Sequence, residues 1–308
     1  MDIVVAFIFF NKEDTTKKVF QKIKEAKPNR IYLISDGARN EKEKQVVCSI
    51  REWIENNIDW NCNVTKIYAT KNMGCRNRVV TGINEVFEHE EAALILEDDC
   101  LPLNGFFEYC KTMLEYYKDA PQIMMVNGSN LVPRKNYEIK EDYTFSANSW
   151  VWGWATWKRA WKLYDPEIKN WPYVKKNKVL NGIYNSKYRF KKEISKGLDL
   201  VYKHKLDTWD YQWQFAIWIN YGLCIVPRYN YVENLGFDIK EATHTCDEMP
   251  AYLKKVYAQK NETINMQLDG HYIVRNVKLD AAFDRMLFLE NYSLKSILRK
   301  VKNLLGLK

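Results

Sequence analysis

Three consecutive carboxylates, Glu97-Asp98-Asp99, end the apolar run Ala92-Ala93-Leu94-Ile95-Leu96 and lead into Cys100-Leu101-Pro102. Adjacent carboxylates repel one another, so a chain sets three of them at the end of a buried strand where a positive charge will sit. Hard oxygen ligands at a strand terminus suit Mg²⁺ or Mn²⁺. A charged turn that simply closes the strand is the plainer alternative, and the neighbouring segments have to decide between the two.

Upstream, Asn11 follows the apolar run Ile3 to Phe10, and Ser35-Asp36-Gly37 follows Arg30 to Ile34. Asn72-Met73-Gly74-Cys75-Arg76-Asn77-Arg78 follows a third run, Val64 to Ala69. Taken singly, each is an ordinary turn with Gly for positive φ, an Asx cap or solvated arginines. Together they offer an acid for a base or ribose edge, Arg76 and Arg78 with backbone N–H groups for phosphates, and clustered acids for a metal. That inventory describes a metal–nucleotide-diphosphate site.

Downstream, five tryptophans fall within Ser149 to Trp161, among them Trp152 and Trp154 around Gly153. They read either as an interdomain core or as the floor of an acceptor pocket, where glycine lets the backbone approach a ligand. Leu206 to Trp218 reads as an aromatic helix with Asp207 as its N-cap. Asp210 then falls in the first turn, beside the aromatic wall of Trp209, as a candidate general base. Near the end of this region, His244 is a candidate to complete a metal shell or touch a phosphate.

These groups need a scaffold, and the hydrophobic pattern supplies one. The unbroken apolar run 3–10 reads as a strand buried on both faces, the segments at 30–34, 64–69 and 92–96 read as further strands, and amphipathic stretches at 14–26, 42–56 and 79–87 read as the helices between them. Strand–helix alternation predicts an α/β doubly wound sheet, in which ligands collect at the carboxyl ends of the strands. All the candidate groups up to Asp99 lie at such ends. The organisation expected is an α/β half over 1–130, an acceptor half over 131–245 and a helical extension over 246–308, the first of which the resemblance given below makes nucleotide-sugar-binding.

The chain has 308 residues, 46% apolar, enough for a large core. Its 47 Lys+Arg against 39 Asp+Glu give +8, which favours an anionic partner. The 11 Trp and 20 Tyr exceed what core filling needs and suit a groove for sugars or bases, the plain alternative being a protein that packs with aromatics. Seven cysteines without a C-x-x-C pair fit neither a disulfide framework nor a structural zinc site, and point to a reducing cytosol. The first ten residues lack a signal-peptide pattern, so a cytoplasmic location is expected. The basic amphipathic tail 293–308 suits either the inner face of the plasma membrane or packing against protein.

Leu96-Glu97-Asp98-Asp99-Cys100-Leu101-Pro102 resembles the Glu-Asp-Asp motif of GT-A-fold nucleotide-sugar glycosyltransferases, in particular the N-acetylglucosaminyltransferase I group. It is closer still to bacterial family A type transferases of surface-polysaccharide synthesis, whose Trp-Gly-Trp-Ala-Thr-Trp and Asn-x-Gly-x-Asp-x-Thr-His-Thr segments have counterparts here. The second counterpart is longer than the family's pattern, running Asp238-Ile239-Lys240-Glu241-Ala242-Thr243-His244. The resemblance covers about residues 1 to 245. It implies a mostly parallel sheet flanked by helices with an acceptor-side α+β region, a UDP-sugar donor (GlcNAc or a related hexose), Mn²⁺ or Mg²⁺, and a glycan or lipid-linked glycan acceptor, with no nucleic acid. Residue by residue it implies Asp36 on uracil or ribose, with Asn11 at the same edge, Arg76 or Arg78 on phosphate and Glu97 orienting the turn. Asp98 would face ribose or sugar, Asp99 with His244 would hold the metal, and Asp210 would be the base of an inverting transfer. A two-metal phosphodiester-cleaving enzyme and a non-catalytic glycan-binding module are the competing readings.

Overall fold

The computed structural model describes residues 2–183, 190–237, 249–259, 266–268 and 272–291. His244, Asp238 and the tail 293–308 lie outside these residues. Ten strands and eleven helices follow in chain order: β1 Val4–Phe9, α1 Glu13–Ala26, β2 Arg30–Ser35, α2 Glu41–Asn56, β3 Asn63–Tyr68, α3 Cys75–His89, β4 Ala92–Glu97, β5 Cys100–Pro102, α4 Phe106–Tyr116, β6 Ile123–Asn127 and β7 Tyr143–Ser146. Then come β8 Trp154–Trp157, α5 Lys158–Trp161, α6 Trp171–Lys176, α7 Leu180–Ile183, α8 Phe190–Tyr202, α9 Asp210–Ile219, β9 Leu223–Pro227, β10 Val232–Asn234, α10 Ala251–Tyr257 and α11 Val277–Asn291.

Eight strands form one sheet in the order β3-β2-β1-β4-β8-β6-β9-β7. The first four are mutually parallel, β8 runs antiparallel between β4 and β6, β9 is parallel to β6, and β7 is antiparallel at the edge. The expected mostly parallel, helix-flanked sheet is what forms. β1 and β4 are buried along their apolar lengths because helices cover both faces, which explains the absence of alternation in their sequences.

The register matters most for function. Phe9 lies opposite Ser35, Ser35 opposite Tyr68, and Ile8 opposite Glu97, so four strands end level with one another. Their exit loops therefore line one edge. A two-stranded antiparallel ribbon pairs β5 with β10, setting Asn234 opposite Cys100 just beyond the acidic triplet.

The short strands β5, β7, β8 and β10 escape the sequence reading; β8, within the Trp-rich segment, has Trp154-Ala155-Thr156-Trp157 buried on both faces and so shows no period. The boundary expected near 130 also falls inside one continuous sheet, since β6, β8 and β9 interleave across it. The C-terminal α11 is tied to this sheet as well, its Asp280 accepting hydrogen bonds from Ser146 Oγ, the Ala147 N–H and Asn148 Nδ2. Among the described residues, no helix is long and apolar enough to cross a membrane.

Candidate active site at the carboxyl edge

The cation that the three acids require is present in the chain itself. Lys12, between β1 and α1, places Nζ 2.8 Å from Asp99 Oδ2 and 3.4 Å from Asp98 Oδ1. Asp98 is further fixed by the Phe10 N–H, which donates to Oδ2 at 3.0 Å. Burial pulls the Lys12 ammonium towards neutrality, but the Asp98 and Asp99 charges more than offset this and hold it above its ordinary range. Sequence reading missed Lys12, although it leaves β1 at the same edge at which the triplet leaves β4.

One ammonium does not balance three carboxylates. Glu97 accepts no hydrogen bond from the described residues, and burial, then the Asp99 and Asp98 charges, push its carboxyl up to about 8. Burial likewise pushes Asp98 up to about 6, against the pull of Lys12 and the Phe10 N–H. Such an excess of negative charge fits a hard divalent cation. Among the described residues no three His, Cys, Asp or Glu side chains form a closed metal cage. The protein would then supply few ligands, Asp99 foremost, and diphosphate and water oxygens the rest, as Mg²⁺ and similar ions prefer on nucleotides.

These shifts set a pH dependence. Both folded-state values lie above the ordinary 4.5 and 3.8, so the folded chain keeps protons that the unfolded chain has released. The stability they contribute is complete below those ordinary values and is lost as pH rises through the folded values. The thermal midpoint of the metal-free protein is expected to fall between about pH 5 and pH 8, and Mn²⁺ to restore it at the upper end with release of protons. A midpoint that rises across that window would contradict a protonated Glu97.

Asp36 follows the last residue of β2 at this edge. Its oxygens accept from the Gly37 and Met73 N–H groups at 2.8 and 2.9 Å, and from the Gly74 N–H and Asn72 Nδ2 at 3.1 and 3.0 Å. A carboxylate so engaged has its acceptor positions filled, and its work is to clasp the β3–α3 loop to the end of β2. Arg51 braces the same corner from below through the Ser35, Asp36 and Ala69 carbonyls. Asn11 is similarly engaged, donating to Glu43 Oε1 at 2.9 Å.

That clasp shapes the start of α3. Gly74 has φ +78°, and a Cβ there would lie 2.9 Å from Asp207 Oδ2, so glycine is needed for both backbone and space. The Asp207 carboxylate accepts from the Cys75 and Arg76 N–H groups, both at 3.2 Å. The expected N-cap of α9 thus caps α3 instead, a pairing between segments more than a hundred positions apart that local spacing cannot reveal. Arg76 faces Glu167 at 3.8 Å. Arg78 is buried with Nε unpartnered, and burial lowers its pKa while Asp36 raises it.

Capping by Asp207 also brings in α9. Asp210 opens that helix, and one of its oxygens accepts from Thr208 Oγ. It lies close enough to Glu97 for its charge to add to the pressure on that carboxyl. The Cys75 thiol is pushed up by burial, then by the Glu97, Asp207 and Asp210 charges, so it is neutral and no nucleophile. On the other side of the triplet, the Asp99 carbonyl accepts from the Leu235 N–H at 2.7 Å. A Cβ on Gly236 would lie 2.8 Å from Asp99 Oδ2, so only glycine leaves that carboxylate its room.

The tryptophans divide. Trp154 is 0% exposed and Trp209 3%, stacked on each other at 5.5 Å above Trp213 and Trp161. Both are buried in the core, because β8 is central in the sheet and α9 packs over it. Trp152 alone of the three keeps partial exposure, edge-on to Phe237. Trp154→Ala is expected to cost about 3–5 kcal/mol in urea unfolding. A loss below about 1 kcal/mol, far under that range, would return the ring to the pocket.

No protein-family model and no curated protein sequence matches the chain. Solved structures align over parts of it at low identity. A mannosyltransferase from Pyrobaculum calidifontis, in complex with GDP-Man and Mn²⁺, is 13% identical over 50% of this chain and 44% of its own, with TM-score 0.34. TarS of S. aureus is 12% identical over 77% and 61%, TM-score 0.43. An active-site mutant of LgtC is 12% identical over 70% of each chain, TM-score 0.38. The chain thus spans less than two thirds of the first two. The chemistry is argued from the side chains alone.

Proposed function

We propose that the chain is a metal-dependent, inverting glycosyltransferase that uses a UDP-sugar, with GlcNAc or a related hexose, to extend a glycan or lipid-linked glycan in bacterial surface-polysaccharide synthesis. The observation that carries this reading is the nearness of Asp210 to Glu97, the first of the three acids at the end of β4, whose neighbours Asp98 and Asp99 hold Lys12. A base on one side of a cleft and a charge-neutralising cluster on the other is what displacement of a diphosphate by a hydroxyl requires.

In this reading Asp210 takes the proton of the acceptor hydroxyl as its oxygen attacks the anomeric carbon. The bond from that carbon to the diphosphate oxygen breaks on the opposite face, and negative charge grows on the leaving group. Lys12 neutralises part of that charge, and Arg78, with its free Nε, is the better candidate than Arg76 for the phosphates. Mn²⁺ or Mg²⁺ held at Asp99, when bound, supplies further stabilisation of the diphosphate. Asp36 serves the donor at one remove, by holding the 72–74 loop. Trp152 is the remaining candidate among the three tryptophans for the acceptor side. The work is expected in the cytoplasm.

A thermal-shift panel of nucleotide-sugars tests the donor assignment. Stabilisation by UDP-sugars that requires Mn²⁺ or Mg²⁺ is expected. Equal response to all nucleotides, or none with either metal, would sink it.

A further inference from the structure

Charge is unevenly distributed along this chain. Residues 162–205 contain 12 Lys+Arg against 4 Asp+Glu, a net +8, and the other 264 residues balance at 35 against 35. The whole net charge of the protein therefore resides in the segment that carries α6, α7 and α8. This segment has its own apolar core, with Ile168, Trp171, Val174, Leu198 and Val201 packed against Phe215 and Trp218 of α9.

Its four acids are already engaged. Asp199 pairs with Lys175 at 2.6 Å and accepts from Trp171 Nε1, and Glu193 pairs with Lys196 at 2.9 Å. Asp165 accepts from the Glu167 and Lys169 N–H groups, and Glu167 faces Arg76 and His204. Lys192 and Lys203 are left outward without an ion-paired acid among the described residues, Lys196 shares their face while pairing with Glu193, and the face is, unusually for a solvated one, apolar too. Lys192, Lys196, Leu200 and Lys203 are exposed at spacings of four, four and three, one face of α8 and the turn that continues it. Tyr202 beside them is 43% exposed, and Tyr173 of the adjoining α6 is 68% exposed.

We infer that this helical segment docks the protein on an anionic phospholipid surface, a function separate from the transfer chemistry. Lysines interleaved with exposed Leu and Tyr match a bilayer interface, where the cations meet lipid phosphates and the apolar groups enter the headgroup boundary. A soluble polyanion would use the lysines but gain nothing from Leu200. The position is also apt. α8 packs so closely on α9 that a Cβ at Gly197 would lie 2.1 Å from the Tyr211 ring, and Asp210 is the first residue of α9. A protein held by α8 keeps its candidate base near the surface from which a lipid-linked acceptor would arrive.

The test is co-sedimentation of the full chain with phosphatidylcholine vesicles with and without phosphatidylglycerol. Binding only to the anionic vesicles, weakening with salt, is expected. Each basic residue near such a surface contributes about fivefold, so Lys192→Glu with Lys196→Glu and Lys203→Glu is expected to weaken binding by about a hundredfold or more. Lys17→Glu with Lys18→Glu and Lys22→Glu on α1 serves as the charge-matched control. If the triple variant fails to fold, the Gln triple replaces it, with the same direction of effect. Equal binding to both vesicle types, wild-type binding by the folded triple variant, binding lost on removal of 293–308 but unaffected by the triple change, or retention by a soluble acidic polysaccharide but not by vesicles would each overturn the inference. None of these readouts depends on sugar transfer, so failure of the docking idea leaves the catalytic reading standing, and the reverse.

Discussion

Asp210→Asn is expected to lower kcat for sugar transfer by about 10²–10⁴-fold, the usual worth of a positioned general base, while the donor dissociation constant stays within a few-fold. The substitution is close to isosteric. The Asn oxygen can still accept from Thr208 Oγ, so the first turn of α9 and the cap that Asp207 gives to α3 remain. What disappears is the ability to hold the acceptor's proton. Calorimetry for donor binding and single-turnover product formation separate the two effects. A kcat within threefold of wild type would remove Asp210 from the chemistry, and a lost donor site would make it a donor ligand instead.

The parts of this site that were legible in the sequence are those governed by short-range rules. A buried parallel strand must be apolar along its length and must stop somewhere, so β1, β2 and β4 and the polar residues at their ends could be read directly, whereas β3, an edge strand with only Ile67 buried, is mixed in sequence. The clustering of those ends follows from parallel topology. Long-range pairing could not be read. Asp207 has the local signature of an N-cap and acts as one, but for α3, because the 206–210 segment crosses over the start of that helix. Asp36 has the composition of a ligand and is occupied as a clasp. Trp154 and Trp209 have the composition of a sugar platform, yet β8 inserts between β4 and β6 and carries them into the core. In each case the residue type was informative about chemistry and silent about which partner would claim it first.

Asp99→Asn is expected to abolish the metal dependence of donor binding, weakening Mn²⁺-supported UDP affinity by at least about a hundredfold, the upper end of what losing even an outer-shell metal partner costs. The fold should survive, because Lys12 retains Asp98 as a partner and the Leu235 N–H bonds the Asp99 main chain, which the change does not touch. Lys12 makes the experiment more informative than a simple loss. Lys12 already holds Asp99 Oδ2, the oxygen that the proposed divalent cation would need, so Lys12→Met is expected to tighten Mn²⁺ binding to the nucleotide-free protein while weakening metal-free UDP binding. Mn²⁺ titration followed by paramagnetic resonance reads the first, and calorimetry without metal reads the second. If Asp99→Asn and wild type bind UDP with the same Mn²⁺ dependence, Asp99 is not the metal ligand. If Lys12→Met leaves Mn²⁺ affinity unchanged, lysine and metal do not share the carboxylate. The pair of variants thereby separates a site that needs a divalent cation from one whose own lysine already meets the need for positive charge at the end of β4.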